Sequence, residues 1–162
     1  MRNSRPELRT IARAIRQRFH FLSIINANLR GTFCQKLDEI AVTLDQVAAD
    51  IVFFTETWLN SLIATDLIHV SNYTVYRKDR MENRSGGGVV IYVKSTIPVT
   101  PLGTFNSSHL ETFWLLLRFT CMPRSVSHTL LGVIYHPPAA SNALLYEHVS
   151  QVFYPMKQLQ NN

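Results

Sequence analysis

An α/β fold is predicted by three observations. Residues 19–27 form an apolar run of strand length ending in amides, residues 34–49 carry apolar side chains at helical spacing, and residues 51–54 are four large apolar residues in a row. Strand, helix and buried strand in that order make a βαβ unit, which requires a parallel pair joined by a right-handed crossover. Further β-like runs at 73–76, 89–94, 112–120 and 128–134 supply the rest of a mixed sheet. With 162 residues, 46% apolar and 17% charged, the chain can close one domain around a real core, and its composition excludes a disordered polymer.

The first 18 residues are a basic arm, and the domain proper is expected over 19–162. Arg2, Arg5, Arg9, Arg13, Arg16 and Arg18 stand against Glu7 alone, so the arm holds the whole formal charge of +5 and the rest of the chain is neutral. Leu8, Ile11, Ala12 and Ile15 recur at helical spacing, so a short basic amphipathic helix is expected there. Three readings stay open for it: an arm contacting phosphates, a mitochondrial transit peptide, or a leader that the domain does not use.

In the first strand Phe21, Leu22, Ile24 and Ile25 are the apolar content, and Asn26 and Asn28 at its end are short amides of the kind that bond their own backbone in turns. In the helix, Leu37, Ile40, Ala41, Leu44, Val47 and Ala48 mark the face that packs on a sheet, while Asp38 and Glu39 favour the helix dipole. The run at 51–54 fits a strand buried on both faces and stops at Glu56. Residues 61–72 read as a loop or short helix. The polar stretch from Arg77 closes on Gly86, Gly87 and Gly88, a hairpin whose glycines tolerate the positive φ of a turn. A phosphate-cradling loop is the weaker alternative, because no lysine–hydroxyl pair follows and no helix begins there. Pro98 and Pro101 mark a loop. In the strand at 112–120, Phe113, Leu115, Leu117 and Phe119 form one apolar face. The next strand ends at Tyr135, and Pro137 with Pro138 stops the sheet. Ser141 is placed to cap a final helix carrying Leu145, Val149, Val152 and Met156 on one face and interrupted near Pro155.

Cys34 and Cys121 form no motif and suit a reducing compartment. No apolar run reaches bilayer-spanning length, so no membrane partner is expected. The expected location is intracellular, nuclear or cytoplasmic, with the mitochondrial reading of the arm left open.

Parallel strands end on one edge, so Asn26 and Glu56 become neighbours, and Tyr135 ends a third strand. Sheets of this class place their ligand groups at such ends. A hard Mg²⁺ ion takes oxygen ligands, few from protein and the rest from water and phosphate. Glu56 can anchor such an ion, Asn26 can orient the ion or the attacking water, and the Tyr135 hydroxyl can donate to a phosphate oxygen whose charge grows in the transition state. The plainer alternative for Glu56 is a solvated carboxylate beginning a loop.

A set of segments in fixed order carries a resemblance. They are Ile25-Asn26-Ala27-Asn28-Leu29-Arg30, Lys36-Leu37-Asp38-Glu39, residues 51–59 with their Thr55-Glu56-Thr57-Trp58, Tyr76-Arg77-Lys78-Asp79-Arg80, residues 86–91, residues 111–117, and Tyr135-His136-Pro137-Pro138. Together they resemble the endonuclease/exonuclease/phosphatase superfamily, most closely the apurinic-type endonuclease domain of non-LTR retrotransposons. The resemblance implies a partial four-layer α/β sandwich, mixed β-sheets flanked by helices, with the C-terminal half missing. It implies a Mg²⁺-dependent endonuclease that cuts a DNA phosphodiester to prime reverse transcription. By position, Asn26 would be the amide beside the metal, Glu56 the metal ligand, and Tyr135 the group assisting at the phosphate. Asn28 matches a position that often holds an acidic residue near the metal. Arg77, Lys78, Arg80 and Arg84 fall where substrate contacts are reasonable, a solvated hairpin tip being the alternative. Glu111 reads as structural.

The sequence ends at Asn162, before the Gly-Asp-Phe-Asn and Ser-Asp-His motifs with which the resembled domains continue. Without the groups that hold the water and act at the nucleophile, no turnover is expected. Without the second half of the sandwich, the sheet is expected to need a partner, or the missing half, for cover. The expected function is therefore a fragment of an endonuclease, the alternatives being a non-catalytic nucleic-acid-binding module and a degenerate relic. DNA is the expected partner, with RNA left open.

Overall fold

The computed structural model describes residues 22–31, 33–80, 86–107, 109–118, 126, 128–137 and 140–159, with 155–159 as backbone only. The basic arm, the start of the first strand at 19–21, Arg84, Cys121 and Pro138 lie outside these residues.

The βαβ unit is formed by β1 (Ile24–Asn28), α1 (Leu37–Val47, entered through a 3-10 turn at Cys34–Lys36) and β2 (Ile51–Thr55). β1 and β2 are parallel, in register from Ile24 opposite Ile51 to Asn28 opposite Thr55. β3 (Tyr73–Lys78) and β4 (Val89–Lys94) make the expected hairpin, and β4 also pairs antiparallel with β2, so the first sheet runs β1-β2-β4-β3. β5 (Val99–Pro101), β6 (Glu111–Leu117) and β7 (Thr129–Tyr135) form a second, antiparallel sheet in that order, followed by α2 (Asn142–Leu159).

Side-chain alternation along β2 and β4 builds the layers. Val52, Phe54, Val90 and Tyr92 pack on one side with Ile40 and Leu44 of α1. Ile51, Val89, Ile91 and Val93 pack on the other with Leu115, Leu117 and Val133 of the second sheet. β4 is buried on both faces, which is why its sequence is an unbroken apolar run. On the far side of the second sheet, Trp114 meets His148 and Phe153 of α2. The order is therefore α1, first sheet, second sheet, α2: a four-layer sandwich.

Two local expectations are corrected. The Pro98 to Pro101 loop contains β5, a short edge strand where proline is tolerated because one side of the ladder is unused. α2 is not interrupted near Pro155 but runs to Leu159; losing one i→i−4 bond does not end a helix that is already packed.

The second sheet covers the first unevenly. β6 lies over β3 and β4, and β7 over β4, so the inner face of β1 is left open. Ile24 is 46% exposed although its register partner Ile51 is fully buried. The base of this edge is pinned by Asp50, which accepts hydrogen bonds from Ser23 N (2.9 Å), Ser23 Oγ (2.8 Å) and Lys94 Nζ (3.0 Å). Burial alone would raise the Asp50 carboxyl, but the Ser23 bonds and the Lys94 charge outweigh it and hold the group below the usual carboxylate range.

Candidate active site

The register of the parallel pair decides which amide meets the carboxylate. Asn28 is opposite Thr55, the last residue of β2, so Asn28 adjoins Glu56 and Asn26 sits one full repeat back, opposite Phe53. Asn28 Oδ1 accepts the Arg30 amide (3.0 Å), which turns Nδ2 toward Glu56 Oε1 (3.3 Å). Asn26 shares the exposed inner face of β1 with Asn28, and its side chain has no hydrogen-bond partner among the described residues.

Tyr135 arrives from the second sheet. Its hydroxyl donates to Glu56 Oε1 at 2.7 Å, closing a contact across 79 residues of chain. Burial pushes the Tyr135 phenol up to about 12, helped by the Glu56 bond and by the negative charges of Glu56 and Glu111, with Arg80 opposing. The phenol is therefore a neutral donor at any physiological pH. Both of its neighbours use Oε1, so Glu56 Oε2 has no protein partner among the described residues.

The backbone around Glu56 is bent to aim it. Glu56 and Trp58 have φ of 53° and 56°, left-handed values that cost an L-residue about 1–3 kcal/mol each. Three bonds hold the bend: Gly31 N to Glu56 O (2.7 Å), Thr57 N to Gly88 O (3.4 Å) and Trp58 N to Gly87 O (2.9 Å). Arg30, Gly31 and Gly86 to Gly88 also have positive φ, so most of the left-handed residues among those described gather here. Thr57 Oγ1, inside the bend, is buried without a hydrogen-bond partner among the described residues.

Glu111 fixes the glycine loop. Its carboxylate accepts Gly88 N (2.6 Å) and pairs with Arg80 Nε (3.2 Å). A Cβ on Gly87 would come within 2.5 Å of both carboxylate oxygens, so glycine is required there twice, for its φ of 82° and for this approach. The loop thus positions Glu56 through its carbonyls. Glu111 keeps its structural reading, with a role tied to the site that no local sequence signal shows.

The described cations expected at the substrate, Arg77, Lys78 and Arg80, have partners within the fold. Arg77 is wrapped by Asp79 (2.8 and 2.5 Å) and by the carbonyls of Ile63 (2.6 Å) and Asn60 (2.8 Å). Lys78 Nζ donates to Ser107 O, and burial lowers its pKa against the pull of Glu111. Arg80 is paired with Glu111. Arg30, which sequence reasoning passed over, is exposed beside Asn28.

Among the described residues no three His, Cys, Asp or Glu side chains converge. The donor set that is present, one free carboxylate oxygen with an unengaged amide nearby, is all oxygen. It fits a hard divalent cation that takes the rest of its shell from water or phosphate.

The chain belongs to the Endonuclease/Exonuclease/phosphatase family, whose sequence profile matches residues 25–158. Among solved structures it is similar to the endonuclease domain of TRAS1, a telomere-specific non-LTR retrotransposon, with a TM-score of 0.59 at 13% identity, covering 84% of this chain and 54% of that one. It is similar to the AP endonuclease LMAP from Leishmania major, with a TM-score of 0.54 at 19% identity over 82% of this chain and 44% of that one. It is also similar to D. rerio TDP2 complexed with single strand DNA product, with a TM-score of 0.50 at 15% identity over 86% and 54%. At these identities the likeness shows the sandwich fold, and the chain spans about half the length of the structures it matches. Comparison with curated proteins gives no match.

Proposed function

We propose that this chain carries the metal-binding half of a Mg²⁺-dependent nucleic-acid phosphodiesterase site, of the type used by retrotransposon endonucleases. The observation that supports it best is the Glu56 carboxylate, with one oxygen held by Tyr135 and Asn28 and the other left free. Glu56 Oε2 would hold the ion, and Asn26 is the amide left for the ion or its water. The bound ion would supply Lewis-acid polarisation of the phosphodiester.

The chain's own groups do the rest. Asn28 and the left-handed bend at Glu56 orient the carboxylate before any ligand arrives. Tyr135 has one proton, spent on Glu56 in this arrangement; it turns to a phosphate oxygen only when that bond is released. No Asp or His among the described residues bonds to Glu56 or Tyr135 to take a proton from water, so turnover by this chain alone is expected to be slow or nil. DNA is the proposed substrate, consistent with the retrotransposon, AP endonuclease and TDP2 folds it shares.

Nicking of supercoiled plasmid by the full chain tests this. Any Mg²⁺-dependent nicking should fall on the order of 10³-fold in Glu56→Gln and 10²-fold in Tyr135→Phe. Nicking that persists unchanged in Glu56→Gln would refute the site.

A further inference from the structure

Trp58 is used by none of the steps above, yet it is mounted with as much care as Glu56. Its ring lies on Gly31: a Cβ placed there would fall 2.2 Å from Cδ2 and 2.3 Å from Cε3. Its Nε1 edge faces Gly86, where a Cβ would stand 3.3 Å away. Gly31 therefore forgoes a side chain to seat the indole, and Gly86 lies close against its edge. The same bend over Glu56, Thr57 and Trp58, held by the Gly87 and Gly88 carbonyls, sets the carboxylate and the indole together. With one ring face on Gly31, Trp58 is still 49% exposed, so the opposite face is turned to solvent. A large apolar ring fixed in a strained backbone and left open to water calls for a ligand with a flat face.

The surrounding charges narrow that ligand. Among the described residues Arg77, Lys78 and Arg80 are engaged within the fold, so the described part of the rim offers few phosphate contacts beyond the exposed Arg30, next in sequence to Gly31. Affinity for a polynucleotide from the described residues of this rim therefore calls for a contribution other than charge. Stacking on an aromatic ring is that alternative, and it requires a base that is not already stacked in a duplex.

We propose that Trp58 is a stacking platform for an unpaired nucleobase next to the phosphate addressed by Glu56, with Arg30 at the flanking phosphate, so that the site takes single-stranded or locally opened nucleic acid. This rests on the active-site reading, and the test separates the two by working without metal.

The full chain is titrated in EDTA with single-stranded DNA octamers carrying 2-aminopurine, with RNA octamers and with a hairpin duplex as further arms. The single strand should quench the probe and shield the exposed indole from iodide, Trp114 being buried. Trp58→Leu should bind the single strand about tenfold more weakly and lose the quenching, while Trp58→Phe stays within about threefold. Glu39→Gln, on the exposed face of α1, should bind in EDTA as the wild type does. RNA binding of equal strength supports an unpaired base of either sugar. If the octamer leaves the wild-type indole open to iodide, or the hairpin binds as tightly as the single strand, the platform is overturned. The iodide readout needs no variant, so a misfolded Trp58→Leu cannot rescue the idea. Wild-type nicking that Glu56→Gln abolishes, with no stacking signal, would overturn the platform and leave the active site standing.

Discussion

The two tryptophans of this chain sit on glycines in the same way and end in opposite environments. Trp114 covers Gly132, its cross-strand partner, so closely that a Cβ on Gly132 would fall 2.2 Å from the ring. Trp58 covers Gly31 at the same 2.2 Å. Trp114 is 3% exposed and donates its Nε1–H to His148 Nε2 at 3.1 Å, under α2. Trp58 is 49% exposed, and no element among the described residues caps it. One packing device, a ring on a bare backbone, thus closes a core in the second sheet and leaves an open ring in the loop after β2. What separates them is whether a helix closes the second face.

Substitutions can break that contrast. Trp114→Ala should cost about 4 kcal/mol in urea unfolding, because it empties a closed layer. Gly132→Ala should cost about 2–3 kcal/mol, since the trapped ring has nowhere to move. Gly31→Ala should cost about 1 kcal/mol, mostly from its φ of 81°, because the Trp58 ring can swing into solvent; the same change should impair nucleotide stacking. Acid should act on the closed seat. Burial, and then the Lys78 charge, lowers the His148 pKa, so the folded state prefers the neutral ring that accepts from Trp114. That stability is complete above about pH 6.5 and is lost as pH falls through the lower folded value. Urea midpoints should drift down on acidification, and His148→Gln should reduce the drift. Trp58→Leu should change stability least, within about 0.5 kcal/mol.

The contrast also marks what the sequence could show. The βαβ unit, the hairpin and the strand-end placement of Glu56 and Tyr135 follow from periodicity and chain topology, and the structure has them. Which asparagine meets Glu56 does not follow. Asn26 and Asn28 share a face, so alternation cannot tell them apart, and only the register of β1 on β2 selects Asn28. The fate of Arg77 was equally hidden, since the carbonyls that hold it come from Asn60 and Ile63, in a loop with no pattern of its own. Trp58 was visible as a residue but not as a surface. Its seat, Gly31, is 27 positions away, and its exposure depends on which elements of the fold pack over it.

Glu56 as a metal ligand is tested by direct metal binding, which requires no turnover. Mn²⁺ titrated into the full chain and followed by electron paramagnetic resonance should show one weak site that Mg²⁺ displaces. Glu56→Gln should abolish it, while Glu39→Gln on the exposed face of α1 leaves it intact. Equal Mn²⁺ binding by wild type and Glu56→Gln would contradict the account.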